Sequence, residues 1–191
     1  MRSSSRLLSS LVLVAAVLLS ACASKPGGTS ASGETVAVER IAPAVTIPGA
    51  ASRRLVLTMT GPDTVVQSKD WSEFKREWRE TFAEHAKEAG IAFSFADTPP
   101  APGQDGTLMA VNVADYRIVG IGARIMFGIM TGNAFIDAKA RFTSLRDGAV
   151  YGEQQYNTSS SAAGGVFSKV TPQQVNQIAA NVFMDLKAAK P

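Results

Sequence analysis

Cysteine and histidine are nearly absent from this chain of 191 residues, each occurring once. The single cysteine, Cys22, stands close to the amino terminus, so the folded part of the chain contains no disulfide. This is true even if the protein resides in a compartment that permits disulfides. Its stability must therefore come from the burial of apolar surface.

The single histidine, His85, restricts the metal and catalytic chemistry that the sequence supports. A metal site needs several converging ligands, and the chain offers neither a second histidine nor another thiol. Ser159-Ser160-Ser161 lacks a nucleophile-elbow pattern, and Gly120-x-Gly122 lacks the third glycine of a dinucleotide fingerprint, since Ile125 stands there. We therefore predict a partly buried structural histidine, no enzymatic activity, no metal and no cofactor.

The chain also has little excess of charge of either sign, because its 19 basic residues nearly balance its 16 acidic residues and the net charge is +3. Arg2 and Arg6 lie in a predicted signal segment, and without them the net charge is +1. No cluster of basic residues interleaved with aromatic residues occurs. These observations exclude the electrostatic pattern typical of nucleic-acid binding.

A secretory signal is predicted at the amino terminus, residues 1–21. Arg2 and Arg6 precede the thirteen-residue apolar run Leu7–Leu19, and small residues follow it. As a helix this run reaches only about 20 Å, against a hydrocarbon core about 30 Å thick. The run is therefore too short for a comfortable membrane span.

The four residues Leu19-Ser20-Ala21-Cys22 resemble the bacterial lipobox. The resemblance implies attachment of diacylglycerol to Cys22, cleavage between Ala21 and Cys22, and acylation of the new amino terminus. Several acyl chains anchor a protein stably, because each buried methylene contributes about 0.8 kcal/mol. The alternative is a plain secretory signal or short anchor that happens to contain a cysteine. No Asp follows Cys22, which by resemblance to enterobacterial sorting implies the outer membrane, with the domain facing the periplasm.

Residues 22–52 are predicted to be the lipidated cysteine and a flexible tether, since Ser, Gly, Thr, Ala and Pro dominate the segment. Val36–Val45 alternatively fits an edge strand or a partner-binding segment. Residues 53–191 are long enough for one domain.

The domain begins with a predicted strand at Leu55–Thr60, followed by an amphipathic helix. Asp70 and Glu73 have the spacing of a capping box, and Gly90 fits a left-handed helix end. The buried stripe of this helix is predicted to consist of Trp71, Phe74, Trp78, Phe82 and Ala89.

Two further strands are predicted, from Ile91 and from Thr107, with exposed Pro-rich residues between them. In the second of these strands Met109, Val111 and Val113 are expected on one face, and Asn112, Ala114 and Tyr116 on the other.

The segment from Gly120 to Gly132 is largely apolar but is interrupted by four glycines. It is predicted to pack against the sheet. An exposed position would instead indicate a contact with a partner, ligand or membrane.

A strand over Ala134–Thr143, a turn at Asp147-Gly148 and a strand over Ala149–Thr158 predict a hairpin. The row of Asp137, Lys139 and Arg141 is expected on its solvated face. A last helix is predicted to open with Thr171 as cap and to bury Val175, Ile178, Val182 and Leu186.

Five features follow one another in the second half of the chain: Gly122-Ala123-Arg124, the glycine run to Gly132, the hairpin at Asp147-Gly148, the Ser/Ala/Gly loop and a closing helix. In these features the chain resembles the bacterial lipoproteins of the domain of unknown function 4410 family. The likeness covers roughly Thr107 to Lys187, and it implies fold and location but no active site.

Together these patterns predict an α+β domain with about five strands in a mixed or antiparallel sheet and two amphipathic helices on one face. We expect a non-enzymatic, lipid-anchored envelope lipoprotein that binds or scaffolds an envelope protein. A periplasmic carrier of a small apolar ligand or lipid is the alternative, and a hydrolase is less favoured.

Overall fold

The computed structural model of the protein describes residues 41–118, 134–159 and 170–189. Its strands are β1 (Arg54–Thr60), β2 (Ala92–Ala96), β3 (Thr107–Arg117), β4 (Phe135–Ser144) and β5 (Val150–Ser159). Its helices are α1 (Asp63–Val66), α2 (Trp71–Ala89) and α3 (Val170–Ala188), and a single 3₁₀ turn spans Gly49–Ala51. The signal segment, Cys22 and the segment from Gly120 to Gly132 lie outside the described residues.

The five strands form one mixed sheet in the order β2-β1-β3-β4-β5. β1 is parallel to both of its neighbours, β2 and β3, whereas β3–β4 and β4–β5 are antiparallel. The parallel pair β1–β2 requires a crossover, which α2 provides. The predicted α+β class with a mixed sheet is confirmed.

Helix α2 covers the sheet with an aromatic stripe that matches its sequence spacing. Trp71, Phe74, Trp78 and Phe82 are buried, and Ala86 rather than the predicted Ala89 completes the stripe. Gly90 ends the helix in the left-handed region at φ 67°, as predicted.

The capping box predicted at the start of α2 does not form. The backbone of Asp70 is already helical there, and its side chain makes no capping hydrogen bond. Its carbonyl instead accepts the ordinary helical hydrogen bond from the backbone N–H of Phe74 at 2.9 Å. Because Asp70 is helical, its side chain lacks the extended backbone from which a cap reaches inward.

Helix α3 buries the four residues predicted for its stripe: Val175, Ile178, Val182 and Leu186. It begins at Val170, so Thr171 lies inside the helix and the predicted cap at Thr171 is wrong. The two long helices contact each other through Phe82 and Phe183, whose ring centroids are 6.0 Å apart. Both therefore contribute to one core on one face of the sheet, as predicted.

The strands supply the other half of this core from alternate positions. Leu55, Leu57, Met109 and Ile136 are fully buried beneath the helices. The pairing of β3 with β4 shifts between Val113 and Asp115, and this irregularity turns Tyr116 toward the core. Its ring stacks on Phe74 with centroids 4.2 Å apart, so the predicted outward position of Tyr116 is wrong.

The hairpin between β4 and β5 turns at the predicted residues. Gly148 has φ 75° and donates from its N–H to the carbonyl of Ser144 at 3.0 Å. The carboxylate of Asp147 accepts a hydrogen bond from the N–H of Ala149 at 3.0 Å, and this bond lowers the pKa of Asp147. Aspartate followed by glycine suits such a turn, because glycine adopts positive φ without strain.

Residues 41–48 form an extended strap that packs on the domain. Ala42, Val45 and Ile47 are buried in the same core as the helices, and Ala51 follows them. The folded part of the chain therefore begins at least twelve residues before the predicted boundary at Arg53. Composition concealed this segment, because its few apolar residues are separated by Pro, Thr and Ala. Residues 41–45 are extended, but they belong to none of the described strands.

Candidate interaction surface

The strap is held by polar side chains from α3 and β5. Asn181 and Asp185 lie one turn apart on α3, and they accept hydrogen bonds from the backbone N–H groups of Ile41 at 2.9 Å and Val45 at 3.0 Å. Gln154 donates from its amide both to the carbonyl of Pro43 at 2.6 Å and to Asp185 at 3.1 Å. These buried polar groups thus satisfy a strap that has no strand partner.

Tyr156 completes this buried group, because its hydroxyl donates a hydrogen bond to the side-chain carbonyl of Gln154. The sequence analysis missed the group. A usable signal was present, since Asn181 and Asp185 are polar residues one turn apart beside the apolar stripe of α3. Their role is structural: they hold residues 41–45, which lie inside the segment predicted to be a flexible tether.

The opposite face of the sheet, here called the outer face, is not covered by any described helix or by the strap. It carries the alternate side chains of all five strands. At its centre Val56 and Thr58 are each only 2% exposed, whereas the neighbouring Leu108 and Ala110 on β3 are half-buried.

Charged residues occupy the β4–β5 half of the outer face. Lys139 lies 2.5 Å from Glu153, and Arg141 lies 3.9 Å from the same carboxylate. Gln155 donates to Asp137 at 2.8 Å. The hydrogen bond from Lys139 is the largest cause that lowers the pKa of Glu153, and the nearby positive charges act in the same direction. The predicted solvated row on β4 is confirmed, and its charges are paired with β5.

His85 joins the two long helices. Its Nε2 lies 2.8 Å from Oδ1 of Asn176, and its ring stacks on Phe183 with centroids 5.9 Å apart. Its partial burial agrees with the predicted structural role. Across residues 41–118, 134–159 and 170–189, no group of three or more His, Cys, Asp or Glu side chains could hold a metal ion.

The predicted serine candidates are not assembled into a described site. Ser159 ends β5, whereas Ser160 and Ser161 lie outside the described residues. Within the described part of the chain, none of the helices has the length and apolarity needed to cross a bilayer.

No protein-family model and no curated protein matches this chain. The PelC dodecamer from Paraburkholderia phytofirmans is a similar solved structure, with 12% identity, coverage of 78% of this chain and 98% of that chain, and a TM-score of 0.48. A Xanthomonas campestris protein assigned to DUF330 has 9% identity, 76% and 93% coverage, and a TM-score of 0.46. A minor lipoprotein from Acinetobacter baumannii has 10% identity, coverage of 72% of this chain and 94% of that chain, and a TM-score of 0.35. Likenesses this distant carry no functional conclusion, and the resemblance to the domain of unknown function 4410 family stays a prediction.

Proposed function

We propose that the protein is a lipid-anchored lipoprotein of the bacterial outer membrane whose domain binds another envelope protein in the periplasm. Support for the anchor comes from the sequence, where Leu19-Ser20-Ala21-Cys22 ends an apolar run too short to span a bilayer. The diacylglycerol and amino-terminal acyl chains at Cys22 together provide stable attachment.

The outer face is the single observation that carries the binding role. Its apolar centre, with the half-buried Leu108 and Ala110, borders the charged row of Lys139, Arg141 and Glu153. An apolar centre with a polar border is the usual arrangement of a protein interface. With Asp137 the row carries two positive and two negative charges, so it favours orientation of a partner over long-range attraction.

The strap shortens the reach of this binding domain. Nineteen residue steps separate Cys22 from Ile41, the first described residue. At about 3.3 Å per residue, the fully extended chain between them spans roughly 60 Å. The domain therefore works within this distance of its anchored cysteine, about two-thirds of what a tether reaching Ser52 would allow.

Palmitate labelling tests the anchor. Cells producing the full chain should incorporate labelled palmitate into it, and Cys22→Ala should abolish that label. Ser24→Ala, two residues away, should keep it. Equal labelling of the Cys22→Ala variant would overturn the anchor.

Position-specific photo-crosslinking in intact cells tests the binding role. A photoreactive residue at exposed Asn112 or Gln155 of the outer face should give one defined protein adduct. The same residue at exposed Glu80 on α2 is the matched control and should give none. Equal adducts at all three positions would contradict a role for the outer face. Lipid adducts in place of protein would support the carrier alternative.

A further inference from the structure

The two edges of the sheet differ in how they are protected. At the β5 edge, the strap lies alongside: Pro43 accepts a hydrogen bond from Gln154, and a Cβ placed on Gly152 would stand 3.3 Å from the Val45 side chain. The pairing of β5 with β4 also contains an irregularity beside Gly152, and charged Glu153 follows. Coverage, bulges and charges are the devices by which natural sheets prevent further strand pairing.

Among the described residues, none of these devices protects the β2 edge. The strand reads Ala92-Phe93-Ser94-Phe95-Ala96, without charge, proline or glycine, and its register with β1 is uninterrupted. Among the described residues, β2 pairs with β1 alone, so its other edge presents unpaired backbone N–H and C=O groups. Such an edge is a template for another strand.

The side chains of β2 make this edge partly apolar. Phe93 and Phe95 point to the helix face and remain half-buried. The Phe93 ring lies 6.2 Å from that of Phe82, and the Arg79 guanidinium lies 4.9 Å above the ring of Phe95. The aromatic pair is thus held in place by α2 and is only partly covered.

The sequence of β2 is a palindrome centred on Ser94, so an antiparallel second copy of the strand would place like residues opposite each other. We propose that β2 pairs antiparallel with β2 of a second copy of this chain, about a two-fold axis at Ser94, to form a continuous ten-stranded sheet. Phe93 then faces Phe95 of the second copy on the helix side, and small residues face small residues on the outer side. Aromatic residues directly opposite each other stabilise an antiparallel pair.

Two of the neighbouring registers are less favourable than this one. A slip of one residue moves the phenylalanines to the wrong face. A slip of two toward the carboxyl end brings Asp97 opposite Phe93, and Asp97 is already paired with Lys75 at 3.1 Å. The centred register places no charge among its five paired positions.

The same asymmetry limits the assembly to two copies. A two-fold contact uses the same surface on both subunits and therefore closes on itself. Pairing consumes both β2 edges and leaves only the protected β5 edges at the ends of the larger sheet. The two outer faces become one continuous surface. This inference does not depend on the lipid or on an envelope partner.

Cysteine crosslinking of the full chain in its native membrane tests the pairing. In the proposed dimer the two residues at position 94 face each other with Cα atoms about 4.5–5.5 Å apart, within the range of a disulfide. Ser94→Cys should give a disulfide-linked dimer under mild oxidation. Asn157→Cys on β5 is the control for random collision, and the unsubstituted chain is the control for Cys22. A dimer yield at position 94 no higher than at position 157 would overturn the proposal.

A second variant tests the same contact without a covalent bond. Ser94→Lys places two positive charges opposite each other, so the purified full chain in detergent should sediment as a monomer. Ser94→Thr should remain dimeric. If the unsubstituted chain sediments as a monomer at micromolar concentration, the proposal is wrong. If Ser94→Lys fails to unfold cooperatively, the crosslinking yield decides alone, and palmitate labelling at Cys22 is unaffected by either outcome.

Discussion

The carboxylate of Asp185 accepts a hydrogen bond from the backbone N–H of Val45 at 3.0 Å, across 140 positions of sequence. It also accepts one from Gln154 at 3.1 Å, so one buried side chain connects the strap, helix α3 and strand β5. The carboxyl-terminal part of the predicted tether, which includes Val45, is thereby part of the domain. Force on the proposed lipid anchor would be transmitted through this contact.

Asp185→Ala should lower the free energy of unfolding by about 2–3 kcal/mol, because it leaves buried donors on Val45 and Gln154 without their charged acceptor. Asp185→Asn retains one acceptor oxygen and should cost less. Urea unfolding of the three proteins measures the difference. A loss below about 0.5 kcal/mol for Asp185→Ala would contradict a structural role for this contact.

Ile47→Ala should destabilise the domain by about 2–3 kcal/mol, since the side chain is 3% exposed and its removal leaves a cavity. Thr46→Ala changes an exposed neighbour on the same strap and should stay within about 0.5 kcal/mol. Thermal or urea unfolding compares the two variants. Equal stability of both would mean that this segment behaves as the flexible tether predicted from composition.

Lys139→Met should raise the pKa of Glu153 toward its usual value of 4.5, because the largest cause of its lowered pKa is the hydrogen bond from Lys139. A lowered carboxyl pKa stabilises the folded state above the unfolded pKa, and this contribution is lost as the pH falls through the folded pKa. The stability of the Lys139→Met variant should therefore change less between pH 5 and about pH 3.

A carboxyl-carbon NMR titration of Glu153 measures this shift directly. Arg141→Met is the matched control, because the Arg141 nitrogen is 3.9 Å from the carboxylate and its charge lowers the pKa of Glu153 less than Lys139 does. A larger shift in the arginine variant than in the lysine variant would contradict the geometry.

His85→Ala and Asn176→Ala should each reduce stability by about 1 kcal/mol or less, because the hydrogen bond between them is partly exposed. The double variant should lose less than the sum of the two, by about 0.5 kcal/mol, since both remove one interaction. Metal analysis of the purified protein should not change in either variant. Loss of a stoichiometric metal from His85→Ala would show that the histidine is a ligand.

Local periodicity in the sequence was sufficient to predict most of the helices and strands of the domain. The alternation from Leu55, the helical spacing of Phe74 and Trp78, and the turn at Asp147-Gly148 each predicted the element that the structure contains. Each of these signals lies within one element, where the repeat of a strand or helix determines which side chains are buried.

Predictions that depended on contacts between distant elements were less successful. Tyr116 turned inward because of a local shift in the β3–β4 register, and the Asp70 side chain gave no cap because its backbone was already helical. The outer face could be predicted only in part: the row on β4 was evident, but its pairing with Glu153 requires the strand register.

The amino-acid sequence by itself determined the secondary structure of the domain, the lack of a disulfide and the expectation of a lipid on Cys22, because these depend on residue type and short-range spacing. Only the tertiary structure decided that residues 41–52 belong to the domain, and that among the described residues the strap covers the β5 edge whereas β2 pairs with β1 alone. The reason is physical: the groups that hold Val45 and that cover a sheet edge come from parts of the chain more than a hundred residues apart, and no local pattern records their meeting.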